Sequence, residues 1–426
     1  MKILLVEPKF PVPPKSKNHK DFLPIGLLKL GAMYRARGHK VKLIRGELKK
    51  KEILKLGGGR WSRPDEIMIT SLFTYWKKYV VNCVKHYRKL YPSAKITVGG
   101  IYASLMPDDC KRIPGVDDVW IGIHSEAEKY EPAYELIEQN PHPLDYQIIH
   151  ASRGCPRQCD FCGTWKIEPT FISKRSIKDE IIKKKVVFYD NNLLMNRNID
   201  NILDELTELK QSGEIKWCES QSGFDGRILL KKPRLANKIK HAGFRSPRIA
   251  WDGSFEEANN VKKQIDILLK AGYHRKQIFV FMIYNWDIGF AEMEKKRIKC
   301  YRWHVQIADC RNRPLDRTDD NYDPRAYKKG QTEEDYHIHK EAGWTDSLVR
   351  QFRKNVRRQN ICVRHGFPFY SKNLEKMTIS KEKIKRIMKR TEKLRTKREK
   401  KKYLKKLGID YWFPDKITYP KKIEVR

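Results

Sequence analysis

The sequence predicts an α/β chain: a doubly wound, Rossmann-like parallel sheet over residues 1–140, a second run of βα repeats over 144–312, and a basic, mostly helical extension over 313–426. Three observations carry this. Short apolar runs alternate with stretches of helical periodicity through the first 312 residues, the pattern of parallel strands joined by crossover helices. Three cysteines fall within eight residues, Cys155-Pro-Arg-Gln-Cys159-Asp-Phe-Cys162, after the first strand of the second run. The region from Lys372 to Arg426 holds 21 Lys+Arg against 7 Asp+Glu.

In the first region, Lys2–Glu7, Lys40–Arg45, Glu66–Ser71, Lys95–Val98 and Asp117–Ile121 read as strands. Ile25–Arg37 carries apolar residues at helical spacing and stops at Gly38. Tyr79–Leu90 and Ser125–Glu138 are two further helices. Ligands on such sheets sit at the carboxyl ends of the strands, where this chain offers Gly99-Gly100 and Gly122–His124. Pro141-His142-Pro143 reads as a linker. Six strands follow: Tyr146–Ala151, Val186–Tyr189, Lys216–Gln221, Arg248–Trp251, Ile278–Ile283 and Trp303–Ala308. Helices are expected between them at Ile199–Lys210, Pro233–His241, Ala258–Ala271 and around Phe290–Lys299. Beyond Asp309 come a polar loop, a helix over Trp344–Gln359, and a second helix capped by Ser380 with Ile384, Ile387, Met388 and Leu394 on one face. Arg395–Lys402 has almost no apolar face and is expected in solvent.

The three cysteines are the chemical centre of the sequence. Cubic iron–sulfur clusters ordinarily take four thiolates, and the next cysteine after Cys162 is Cys218. Three ligands make sense if one iron is left open for a small molecule, as an open position distinguishes reactive from structural metal sites. The competing arrangement is a Cys3His zinc module using His150 or His124, although zinc modules usually show paired C-x2-C knuckles.

The segment Arg153-Gly154-Cys155 through Cys162-Gly163, with Phe161 before the last cysteine, resembles the signature loop of the radical S-adenosylmethionine enzymes. The resemblance implies a partial (β/α)6 barrel over 144–312. It also implies a 4Fe-4S cluster on Cys155, Cys159 and Cys162 whose open iron chelates S-adenosylmethionine. One electron from the cluster then splits the sulfonium, and the 5′-deoxyadenosyl radical removes hydrogen from a substrate. Cofactor contacts are expected at Phe161, at Asp190, Asn191 and Asn192 after the second strand, at Ser220, Gln221 and Ser222 after the third, and at Arg248 and Asp252 around the fourth. Asp190 or its neighbours would accept from the methionyl ammonium, and Arg248 would pair with the carboxylate. Cys310, after the sixth strand, is the candidate catalytic thiol; a buried cysteine or an auxiliary cluster with Cys300 and Cys362 are the other readings.

Residues 1–140 resemble the cobalamin-binding-type domains fused in front of such barrels, through Leu23-Pro-Ile-Gly-Leu-Leu-Lys-Leu-Gly-Ala, Val98-Gly-Gly-Ile-Tyr-Ala and Gly122-Ile-His-Ser-Glu-Ala-Glu128. The Asp-x-His-x-x-Gly motif that gives cobalt a histidine is absent, and His19 lies in a lysine-rich loop without that context. Cobalamin would then lie against Gly99 and Gly100, or the domain is degenerate. Methylthio-transfer enzymes resemble the chain less well, because Cys83 and Cys110 do not supply their extra cysteines.

A net charge of +38 points to polyanionic partners, RNA among them, or to a lysine-rich proteome. Tyr411-Trp412-Phe413 beside the lysine run either stack nucleic-acid bases or close the fold. Nine cysteines, no membrane-length apolar run and no signal-peptide pattern suggest a reducing, cytoplasmic setting. A flavodoxin or ferredoxin would supply electrons to the cluster. The functions in view are therefore a radical S-adenosylmethionine enzyme with or without cobalamin-dependent methyl transfer, an RNA-modifying relative without cobalamin, and a zinc-stabilised nucleic-acid-binding protein.

Overall fold

A computed structural model describes residues 1–11, 23–48, 63–137, 144–376, 380–409 and 411–421. The linker at 141–143 and His19 lie outside the described residues. The chain forms two compact units: Met1–Ser222 with Arg313–Asn321, and Gly223–Asn312 with Tyr322–Arg426. No helix among the described residues is long and apolar enough to cross a membrane.

The first unit opens with a five-stranded parallel sheet of β1 (Lys2–Glu7), β2 (Lys40–Arg45), β3 (Glu66–Ser71), β4 (Lys95–Gly100) and β5 (Asp118–Val119), ordered β2-β1-β3-β4-β5. Central strand β1 buries Ile3, Leu4, Leu5 and Val6 in succession, because both of its faces are covered. Helix α1 (Ile25–Ala36) and helix α2 (Lys77–Leu90) fall where periodicity placed them, and α2 buries Val80, Cys83, Val84 and Tyr87 on one stripe. Two short helices not anticipated, α3 (Ile101–Leu105) and α4 (Pro107–Lys111), follow β4 directly.

One expected helix is absent. Over the described part of Ser125–Glu138 the chain makes two 3-10 turns, Ala127–Lys129 and Tyr134–Leu136. Pro132 separates them; it has no amide hydrogen and disfavours helical geometry at the residue before it. The second turn gains a different role. The Tyr134 hydroxyl donates to the Ile148 carbonyl at 3.1 Å and accepts from the Ile148 amide at 2.9 Å, fixing the first strand of the next sheet.

That sheet contains β6 (Gln147–Ile149), β9 (Lys185–Phe188) and β10 (Trp217–Ser220), parallel and ordered β10-β9-β6. A small antiparallel ladder, β7 (Ser152–Arg153) with β8 (Ile172–Ser173), brackets the cysteine segment. Between these ladder strands lies α5 (Thr164–Ile167); α6 (Ile199–Gln211) packs its Ile202, Leu203, Leu206 and Leu209 inward.

The second unit holds β11 (Arg248–Ala250), β12 (Phe279–Tyr284) and β13 (Gln306–Arg311), again parallel and consecutive. All six strands expected over 144–312 are thus present, as two three-stranded parallel sheets. Helices α7 (Gly226–Lys231) and α8 (Arg234–His241) precede β11, while α9 (Ala258–Lys270) joins β11 to β12 and α10 (Phe290–Arg302) joins β12 to β13.

The long α11 (Asp346–His365) starts where the Thr345 side chain accepts from the Leu348 amide. After α12 (Lys372–Glu375), helix α13 (Lys381–Lys393) begins at Ser380 as expected, its hydroxyl accepting from the Lys383 amide. The stretch expected in solvent is exposed but helical. It enters α14 (Lys397–Lys406), which is stabilised by a capping box between Thr396 and Glu399 and anchored by buried Leu404. Trp412 and Tyr370 exchange two backbone hydrogen bonds, at 2.8 and 2.9 Å. Trp412 joins Ile384, Ile387, Phe369 and Leu404 in one apolar cluster. The tail aromatics therefore close the fold. A fully buried Arg297 makes an ion pair with Glu294 at 2.6 Å and donates to the Gln359 side chain and the carbonyls of Pro414 and Lys416.

Candidate functional site

The cysteine loop is held by the strand ends on either side of it. Asp190, fully buried at the end of β9, accepts from the Ser152 amide and hydroxyl, both at 2.6 Å, and from the Ala151 amide at 3.1 Å. Burial pushes its carboxyl up to about 6 against the pull of those hydrogen bonds. Asp190 thus positions the entry of the loop.

Inside the loop, Gly154 has φ +75°, and a Cβ there would lie 2.5 Å from the Thr170 carbonyl oxygen, so no other residue fits without backbone movement. Glu168 gathers three donors: the Gly154 amide at 2.6 Å, the Arg153 guanidinium at 2.7 Å and the Asn191 amide group at 3.4 Å. Asn191 in turn accepts from the Thr164 hydroxyl at 3.2 Å, and the Cys162 Sγ lies 3.3 Å from that hydroxyl oxygen. The Cys162 amide and the Trp165 indole both donate to the Cys159 carbonyl, at 2.9 and 3.2 Å.

Cys155, Cys159 and Cys162 form no disulfide, and each is partly exposed. Phe161 is half-buried beside them. Among the described residues no group of three or more His, Cys, Asp or Glu side chains converges as the ligands of one ion. His150 is buried at an edge of the Tyr189 ring, with burial first and the Arg153 charge second keeping it neutral. His124 uses Nδ1 to accept from the Ala127 amide and stacks on Trp120 at 4.4 Å. A cubic cluster places its thiolates on separate irons, wider apart than around one ion, and three accessible thiols on a loop fixed at both ends fit such a group.

The edge of the first sheet is built with similar economy. The strand order puts the switch point between β1 and β3, where Phe10 stacks on Trp76 at 5.3 Å and the Arg313 guanidinium covers Tyr75 at 4.5 Å. Gly100 has φ +98°, and a Cβ there would meet the Ser71 carbonyl oxygen at 2.2 Å. The Ser71 hydroxyl donates to the Gly99 carbonyl at 2.7 Å and accepts from the Ala103 amide at 3.1 Å. Ser104 likewise links the Gly100 carbonyl to the Gly122 amide. Around this turn Ile101, Trp120 and Ile121 stay 38%, 43% and 59% exposed, an apolar rim on a polar chain. The rim meets the cysteine loop: a Cβ at Gly163 would lie 3.2 Å from Leu105 Cδ1, and one at Gly122 would lie 3.3 Å from the Ile167 carbonyl oxygen.

Of the other expected contacts in this unit, Asn192 and Ser220 are buried, Gln221 is half-buried with its amide donating to Glu219 at 3.3 Å, and Ser222 is exposed. Arg248, Asp252 and Cys310 belong to the second unit. Arg248 is buried at the start of β11, and its carbonyl accepts from the Phe224 amide at 2.8 Å. Burial pushes the Asp252 carboxyl up to about 6, opposed by Lys296 and Arg227. Cys310 is exposed and sits opposite Ile283 in the ladder, whereas Cys300 and Cys362 are buried.

Sequence reasoning passed over three residues. Thr164 and Glu168 carry no local signature, since their partners arrive from β9 and β7. Lys296 did carry one: with Met293, Arg297 and Cys300 it lies on the buried stripe of α10, where an unpaired charge is not expected. Its fully buried ammonium donates to the Trp251 and Gly253 carbonyls, both at 2.8 Å, thereby flanking Asp252. Burial lowers it to about 8.

Residues 16–129 match the B12 binding domain family, and the first sheet is thus of the B12-binding type. Among solved structures, the chain is similar to the cobalamin-dependent S-adenosylmethionine radical enzyme OxsB with aqua-cobalamin bound. The match has 14% identity and a TM-score of 0.48, covering 72% of this chain and 53% of that one. It is also similar to the apo, selenomethionine-labelled form of the same enzyme, at 14% identity and a TM-score of 0.45, covering 71% and 51%. The chain spans about half the length of these structures. No curated protein matches it by sequence.

Proposed function

We propose that this chain, with its B12-binding-type N-terminal domain, is a radical S-adenosylmethionine enzyme that works with cobalamin. Cys155, Cys159 and Cys162 hold three irons of a 4Fe-4S cluster, and the open fourth iron takes S-adenosylmethionine. When bound, the cluster supplies the electron that breaks the sulfonium and yields a radical able to remove hydrogen from a substrate. Asp190 and Glu168 fix the loop from both ends. Thr164 supports the Cys162 sulfur as an outer partner, and such partners orient metal ligands and tune their basicity. Phe161, Asp190, Asn191, Asn192, Ser220, Gln221 and Ser222 are the first-unit residues assigned to S-adenosylmethionine, and the roles that the resemblance implies for Arg248 and Asp252 are assigned separately, within the second unit. Cobalamin rests on the Gly99-Gly100 turn and the exposed Ile101, Trp120 and Ile121 rim. In this reading residues 1–140 serve cobalamin, 144–312 the radical chemistry, and 313–426 a supporting extension. Cys310 is the assigned substrate-facing thiol, and a flavodoxin or ferredoxin is the assigned electron donor.

The observation that carries the reading is the meeting, within one compact unit, of a three-thiol loop and the ligand edge of a B12-binding-type sheet. The test is anaerobic reconstitution with iron and sulfide, followed by reductant, S-adenosylmethionine and chromatography for 5′-deoxyadenosine. Cleavage is expected in the parent chain and lost in Cys155→Ala, Cys159→Ala and Cys162→Ala. Full cleavage in all three variants overturns the proposal.

A further inference from the structure

The extension concentrates charge. The last 55 of 426 residues hold +14 of the net +38, so a uniformly lysine-rich composition does not account for it. Folding sorts that charge onto one side of two consecutive helices. Helix α13 buries Ile384 and Ile387, and α14 buries Leu404, all in the cluster that contains Phe369 and Trp412. The opposite faces expose Lys385, Arg386 and Lys389 on α13 and Lys401, Lys402 and Lys405 on α14. No carboxylate among the described residues pairs with any of these six, although Lys397 on the same helix is paired with Asp415. Cations at i and i+4 lie about 5–6 Å apart on a helix, a spacing suited to successive phosphates.

What the faces lack narrows the occupant further. Their apolar sides are already covered, so neither helix has a hydrophobic face left to enter a lipid surface. Trp412 is 9% exposed and covered by Arg297 at 5.2 Å, which removes it as a platform for stacked single-stranded bases. Neither helix contains Asn or Gln, the side chains that read adenine in the DNA major groove. Charge with no adenine-reading side chain suits an A-form duplex, whose deep groove hides its bases and which proteins grip by backbone and shape. We propose that the exposed faces of α13 and α14 form one binding surface for the phosphate backbone of a base-paired RNA.

The experiment uses the full chain and a fluorescein-labelled RNA hairpin, read by fluorescence anisotropy as salt rises. If about six phosphates are neutralised, affinity should fall by about 10³-fold between roughly 50 and 200 mM salt. Combining Lys385→Glu, Arg386→Glu, Lys389→Glu, Lys401→Glu, Lys402→Glu and Lys405→Glu should abolish measurable binding. The corresponding Lys/Arg→Gln set, a milder change to the helices, should weaken binding and reduce the salt slope by about one for each phosphate left without its cation. Reversing Lys40, Lys85 and Lys89, exposed in the first unit, should leave binding unchanged. The proposal is overturned if the Gln set binds like the parent, or if the Lys40, Lys85 and Lys89 reversals are equally damaging. Tighter binding of single-stranded RNA, duplex DNA or phosphatidylserine vesicles than of the hairpin also overturns it.

Discussion

Replacing Glu168 by alanine removes the acceptor that joins both flanks of the cysteine loop. The Gly154 amide and the Arg153 guanidinium, at 2.6 and 2.7 Å, lose their carboxylate partner, and the weaker Asn191 hydrogen bond at 3.4 Å goes with them. Hydrogen bonds to a charged group contribute about 1.5–3 kcal/mol each. The Arg153 and Glu168 side chains are 19% and 12% exposed, so water recovers part of that stabilisation. A net destabilisation of about 2–4 kcal/mol follows for the first unit. For a unit of roughly 200 residues this lowers Tm by about 4–16 °C, measurable by circular dichroism on the metal-free chain. Glu168→Gln keeps one acceptor oxygen and should lose about half as much. The reconstituted Glu168→Ala variant should also bind less iron per chain, because its thiols hang from a looser backbone. Unchanged Tm together with unchanged iron content would refute the assignment of Glu168 as the clasp of the loop.

Gly100→Ala should cost about 3 kcal/mol or more, since a Cβ would lie 2.2 Å from the Ser71 carbonyl oxygen at φ +98°; a melting temperature equal to the parent's would contradict the close packing of that turn. Lys296 tests burial through pH. Its folded pKa is lowered from 10.5 to about 8, so its contribution to stability is present above the unfolded value and lost as pH falls through the folded one. Stability should therefore rise by about 3 kcal/mol between roughly pH 8 and 10.5, and denaturant titrations of Lys296→Met should lack that rise. Native-state alkylation followed by mass spectrometry should modify Cys155, Cys159, Cys162 and Cys310 quickly and spare buried Cys83, Cys110, Cys218, Cys300 and Cys362. Rapid labelling of Cys300 or Cys218 would show that the packing described around them is wrong.

Much of the architecture could be read from periodicity, because the strands that matter are apolar runs between helices. Each predicted βα strand lies within three residues of its observed position at either end. What escaped was decided by single residues or by distant partners. Pro132 breaks a stretch whose composition otherwise favours helix, and the turn beyond it is recruited by Ile148, fourteen residues on from Tyr134. Asp190 occupies the position expected of a cofactor contact, but nothing local reveals that its carboxylate turns inward to Ser152, thirty-eight residues earlier. Glu168 and Thr164 are ordinary residues by type, and only the fold brings Asn191 between them. The cysteine motif was legible because metal chemistry demands spacing within one loop. Its supporting hydrogen bonds were not, because they are tertiary.

The most direct measurement is metal and sulfide analysis of the anaerobically reconstituted chain, with electron paramagnetic resonance of the reduced protein before and after adding S-adenosylmethionine. The expected result is about four irons and four sulfides per chain, and a signal that changes when S-adenosylmethionine is added. One zinc per chain with no iron or labile sulfide, or an iron cluster whose signal ignores S-adenosylmethionine, would contradict it.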